Sequence, residues 1–221
     1  MPLLSESSLV DSVASLEDQT TAIISELIHS LPDPTLLTSE ERRGIIARYT
    51  SVLEGNFIYW MTAAVIAAKA EQSQPILLEN LHDEVRDAHP LMMRKFAMAA
   101  KAFPTDRDFL AVHDALTTVR QFVGRLSPVK VVLTMAFFEG FIQRFMPFLA
   151  DLAAQQGSTE MEYTDVHGVC DIEHTAELFK VLAAEMALAP PEPEADLFEG
   201  VMLLRTLIEQ ILRPQAIQLS A

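Results

Sequence analysis

The chain has 221 residues, half of them hydrophobic and only 7 of them glycine, which suits one domain with a sizeable core and excludes a disordered chain. Asp and Glu outnumber Lys and Arg by 31 to 16, giving a net charge of −15. A surface this acidic repels nucleic-acid phosphate and points to small-molecule partners. Cys170 is the only cysteine, so no disulfide forms within the chain and a reducing, cytoplasmic location is expected. The opening residues MPLLSESSLVDSVASLED carry neither the basic start nor the apolar run of a signal peptide.

Helical periodicity and prolines divide the chain into seven segments. The first helix is expected over about residues 8–30, ending before Leu31-Pro32-Asp33-Pro34. The second runs from Thr38 to about Gln72, with Thr38 and Glu41 spaced as a capping box. The third begins near Pro75, and His89-Pro90 should kink or interrupt it. The fourth follows Pro104 with Thr105 as its cap, and the fifth spans Pro128 to about Gln155. The fifth is the most apolar segment. Lys130, Glu139, Gln143, Arg144 and Asp151 within it make a bilayer span improbable, so it reads as a buried core helix. The sixth covers about Thr159–Leu188 and the seventh about Glu194–Leu212. No stretch alternates with period two. The expected architecture is all-α, a bundle of seven helices. It divides into a leading helix and linker over about residues 1–37 and a core over 38–213.

The segment Asp165-Val-His167-Gly-Val-Cys170-Asp171-Ile-Glu173-His174 carries the clearest chemistry. His167, Asp171 and His174 stand at i, i+4 and i+7, within roughly 60° of one another on a helix turning about 100° per residue. Two imidazoles and a carboxylate on one face are N,O metal ligands, although a solvated polar face is the plainer alternative. Glu139 lies between Phe138 and Gly140 in the apolar fifth helix, where a charged carboxylate needs a partner: a metal, or an arginine such as Arg144. Gly140 would let another helix come close. Glu54 repeats the pattern, an acid followed by glycine in an apolar segment, and is otherwise a surface glutamate. Glu79-Asn-Leu-His82-Asp-Glu84-Val-Arg-Asp-Ala-His89-Pro90 offers two histidines and four acids, too many for one site. His89 is the selected ligand there, because Pro90 breaks the helix beside it. Carboxylates and imidazoles from four helices, without thiolate, favour iron or manganese pairs over structural zinc. Cys170 points about 60° off the ligand face and reads as packing.

These residues resemble the haem-oxygenase-like diiron oxidases. The His167-x-x-x-Asp171-x-x-His174 spacing is similar to that family's last-helix motif, and Glu54, His89 and Glu139 match its remaining ligands in order. The resemblance covers about residues 40–212. It implies a seven-helix fold like haem oxygenase but without haem. It also implies two iron ions bound by Glu54, His89, Glu139, His167, Asp171 and His174, O₂ as cosubstrate, and a homodimer. Relatives often place a further Glu before the ligand His, in an Asn-x-x-acid-Glu context followed by a glycine-containing insertion. Asn80-Leu-His-Asp83-Glu84 matches the context without the insertion, so ligation by Glu84, Glu79 or His82 stays open. Family substrates imply a free or modified amino acid or another small carboxylate, undergoing N-oxygenation, C–C cleavage, desaturation or nitrile formation. Arg144 and Arg94 lie near the expected ligands as candidate cationic anchors for it, with ordinary surface or interhelix pairing the plainer reading of both.

Three other readings compete. A ferritin-like diiron site would use Glu54, Glu79-x-x-His82, Glu139 and Asp171-x-x-His174. A metal-free, thiaminase-type enzyme on the same fold would need a placed cysteine, for which Cys170 is the one candidate, or other catalytic groups. An acidic helical interaction protein would need none of these residues inside.

Overall fold

Capping residues and prolines set the helix boundaries much as the sequence reads. In the computed structural model, which describes residues 6–213, the Thr38 hydroxyl accepts the Glu41 N–H at 3.2 Å and Glu41 Oε2 accepts the Thr38 N–H at 2.8 Å. That is the expected capping box. Asp108 plays the same part for the helix after Pro104, accepting the Thr105 N–H at 2.9 Å and its hydroxyl at 2.7 Å. Arg43 adds a two-pronged pair at 2.7 and 3.2 Å. Burial alone would raise the pKa of Asp108, but Arg43 and Thr105 outweigh it and hold the carboxyl below its ordinary value. The ends of the expected 1–221 domain, residues 1–5 and 214–221, lie outside the described residues.

The described residues are all-helical: α1 (Glu6–His29), α2 (Ser39–Leu53), α3 (Asn56–Ala67), α4 (Ser73–Arg86), α5 (His89–Ala99), α6 (Asp106–Val123), α7 (Pro128–Gln155), α8 (Glu162–Leu188) and α9 (Glu199–Leu212). They are the seven expected segments with two of them divided. The segment from Thr38 breaks after Leu53. Glu54 takes an extended conformation (φ −60°, ψ 103°) and Gly55 turns with φ +80°, which only glycine adopts without strain. The segment from Pro75 breaks at Asp87-Ala88, where Ala88 itself is left-handed at φ 54°. Pro90 then falls in the first turn of α5, where its missing N–H costs nothing.

α7 is the axis. It is the one helix among the described residues long and apolar enough to cross a membrane, but most of it is covered by other helices. α8 packs along it, and α1, α2, α3 and α9 close round the rest. Phe138, Phe141 and Phe145 stack down its side, and Trp60 meets Phe138 edge-on with centroids 5.3 Å apart. Each such fully buried side chain contributes about 1.5–3 kcal/mol. Where α9 crosses this core, a Cβ on Gly200 would lie 2.1 Å from Thr134 Oγ1 and 2.3 Å from Phe122 Cε1. Gly200→Ala must therefore push α9 outward, and we expect a stability loss of about 2–3 kcal/mol. Urea unfolding reads this as a lowered midpoint; an unchanged midpoint would show slack at the crossing.

Candidate metal centre

The divided α4–α5 segment and the α7–α8 pair bring six buried side chains together. α8 supplies His167, Asp171 and His174, α7 supplies Glu139, α5 supplies His89 and α4 supplies Glu84, and all six are buried. They form two adjoining groups. In the first, His89 Nδ1 donates to Glu84 Oε1 at 2.7 Å, and His167 Nε2 stands 3.9 Å from the same oxygen. The His89 and His167 rings meet edge to face with centroids 4.3 Å apart. In the second, His174 Nδ1 faces Glu139 Oε1 at 3.8 Å and Asp171 Oδ1 at 3.9 Å. Within Glu84–His89–His167, and again within Cys170–Asp171–His174, one donor atom per residue lies within 4.8 Å of the others.

Outer partners fix which nitrogen is available. His167 Nδ1 donates to the Tyr163 carbonyl at 2.8 Å, which leaves the Nε2 lone pair facing Glu84. His174 Nε2 donates to Asp83 Oδ2 at 3.3 Å, which leaves Nδ1 facing the two carboxylates. Orienting hydrogen bonds of this kind are what metal-binding histidines use. Tyr163 also stacks on His167, with centroids 4.2 Å apart, and shares a buried hydroxyl contact of 3.0 Å with Tyr49.

The electrostatics call for a cation. Glu139 Oε1, Asp171 Oδ2 and His174 Nδ1 are buried with no hydrogen-bond partner. Burial pushes the pKa of Glu139 up. Burial, followed by the charge of Glu139, pushes that of Asp171 well up. Burial also takes His167 down to about 4 despite Glu84, so its imidazole is neutral and ready to ligate. Burial opposes protonation of His174 too, but Glu139 and Asp83 outweigh it and raise its pKa to about 9. Without a metal, a protonated His174 is the counter-cation of the two buried carboxylates, a place that a divalent ion would take with the imidazole neutral. The carboxylate and imidazole donors fit iron.

His89, Glu139, His167, Asp171 and His174 come together. Glu54, half-buried at the turn that ends α2, pairs with Arg94 and is not part of either group. Glu84 stands with the histidines instead. Asn80-Leu-His-Asp83-Glu84 had left its ligation open, and the chain turns between Glu84 and His89 through left-handed Ala88 without a glycine insertion. Cys170, read from sequence as packing, is closer to the site than expected, with Sγ 3.1 Å from Asp171 Oδ1.

A model of the iron-containing redox enzymes matches residues 47–207, a span holding all six clustered side chains. The chain belongs to the iron-containing redox enzyme family. No curated protein and no solved structure matches it. Membership in this haem-oxygenase-like family accords with the all-helical bundle and with an oxidoreductase role, and it removes the reading as an interaction protein. The ferritin-like arrangement also fails in this redox enzyme, because Glu79 and His82 are exposed and Glu54 is paired with Arg94. Burial and the nearby Asp171 charge hold the Cys170 thiol protonated, the opposite of an activated nucleophile, which counts against the thiaminase-type reading.

Proposed function

We propose that this redox enzyme is an O₂-dependent non-haem diiron oxidase or oxygenase acting on a small substrate. In this reading one iron is held by Glu84, His89 and His167, and the other by Glu139, Asp171 and His174. The observation that carries it is the trio of unpartnered buried atoms, Glu139 Oε1, Asp171 Oδ2 and His174 Nδ1, set beside a second group of ligand type. Bound iron would supply O₂ activation and redox chemistry.

The chain's own residues supply the rest. The Tyr163 carbonyl and Asp83 hold two imidazoles in the ligating tautomer. Glu84, Glu139 and Asp171 offset three of the four positive charges that two ferrous ions bring. Leu53, Phe57, Met93 and Ile142 line the cavity beside Glu84, His89 and His167 and leave only about 10 Å³, room for one water-sized molecule. Such walls keep bulk water from the site and strengthen every electrostatic contact within it.

The substrate in this reading is a free or modified amino acid or a comparable small carboxylate. The reaction classes are N-oxygenation, oxidative C–C cleavage, desaturation and nitrile formation. The test is an anaerobic Fe(II) titration of the whole chain followed by exposure to O₂. Two equivalents of bound iron and iron-dependent O₂ uptake are the expected result. Saturation at one equivalent, or no uptake, would overturn the diiron assignment.

A further inference from the structure

Two cavities touch the cluster, and they differ in size and chemistry. The one beside His89 and His167 holds about 10 Å³ and is walled by apolar groups. The other lies between α1, α7 and α8, holds about 190 Å³ and reaches Asp171. The sequence creates it by placing two small residues, Ala136 and Gly140, one helical turn apart on α7, opposite Thr20 and Ile24 of α1. At Gly140 a Cβ would sit 3.1 Å from Ile24 Cδ1, so any larger residue would encroach on this space.

We propose that this α1–α7–α8 cavity is the substrate site and that it takes a small monocarboxylate, with the carboxylate on Arg144 and an apolar portion running toward Phe179. The proposal rests on the iron reading for its chemistry, but on separate residues for its binding. Arg144 is the only cation lining the cavity. Its guanidinium donates to the neutral Ser25 hydroxyl at 2.9 Å and makes no ion pair among the described residues. The remaining N–H groups form a fork that matches a carboxylate. Arg94, the other anchor considered from sequence, is already committed to Glu54. Thr175 Oγ1, on the cavity wall, is a buried polar atom without a partner, which marks the wall as suited to a polar occupant.

Size and continuity narrow the ligand. About 190 Å³ lies below the ~300–1,000 Å³ of pockets for drug-sized ligands, which favours a molecule of amino-acid dimensions. Glu17 and Phe179 are shared with a more open groove of about 430 Å³ lined by Val10, Val13 and Ala183, which gives an apolar tail a way out. Glu17 at that mouth would pair with the ammonium of an amino acid and has nothing to offer a fatty acid.

Calorimetry on the metal-free and the anaerobic Fe(II)-loaded chain tests this, with L-leucine, octanoate and their uncharged-carboxyl counterparts leucinamide and octanamide as probes. At least one acid should bind about tenfold or more tightly than its amide. Arg144→Met should erase that preference, and Arg144→Lys should keep part of it. Iron stoichiometry should be unchanged in both variants. Leucine ahead of octanoate identifies an amino acid, and the reverse order a fatty acid. Equal binding of acid and amide to the unmodified chain overturns the site whatever the variants do. So does a preference that survives Arg144→Met, or no binding of any probe at millimolar concentration. A carboxylate preference that persists while iron fails to bind would instead sink the metal reading alone.

Discussion

His174→Ala should cut bound iron by roughly half or more and abolish iron-dependent O₂ uptake, whereas Glu54→Gln should leave both near the level of the unmodified chain. His174 is the only imidazole facing Glu139 and Asp171, and its loss removes a ligand that no neighbour replaces. Glu54 is paired with Arg94 at the end of α2, so neutralising it disturbs a partly exposed ion pair worth little. Asp83→Asn provides an intermediate case. It weakens the acceptor that orients His174, and changes of this type cost about 10–100-fold in metal affinity. Elemental analysis and an oxygen electrode read all three. Iron loss in Glu54→Gln as complete as in His174→Ala would restore Glu54 as a ligand and displace Glu84.

Ferrous iron should raise the melting temperature of the chain by roughly 5–10 °C when present at about a hundredfold excess over its dissociation constant. Binding at that level adds about 2.7 kcal/mol, and a domain of this length shifts by about 2–4 °C per kcal/mol. Asp171→Asn should remove the shift yet leave the metal-free chain at least as stable as before. The reason is local. Without a cation, Asp171 is fully buried, its Oδ2 has no partner, and the neighbouring Glu139 charge disfavours its ionisation. An amide of the same shape relieves that repulsion. Calorimetric or fluorescence melting separates the outcomes. A strongly destabilised metal-free Asp171→Asn would mean that the carboxylate serves the fold rather than a metal.

Helix positions and the α8 part of the cluster were legible because each rests on local chemistry. Thr38–Glu41 and the Thr105 cap act within one turn, and His167, Asp171 and His174 share a face through helical geometry alone. Glu139 was legible because an acid among buried phenylalanines requires a partner. Glu54 misled for a complementary reason. Its apolar surroundings suggested a continuous helix, whereas α2 ends there, Gly55 turns and the carboxylate pairs with Arg94. The break before α5 was announced by Pro90, but not that it falls at a left-handed Ala88, a conformation alanine seldom takes, nor that Glu84 would be the acid of its segment to stand with the histidines. The outer partner Asp83 and the α1 wall were beyond reach because both depend on tertiary packing between distant segments.

α1 lies ahead of the span that matches the family, yet Thr20 and Ile24 form one side of the chamber next to Asp171 and Ser25 steadies Arg144. Thr20 and Ile24 thus add a wall from outside that span to a proposed chamber whose anchor, Arg144, stands on α7 with Glu139. Exchanging Thr20 or Ile24 for a larger or smaller residue would change the room in that chamber without altering any of the six clustered side chains.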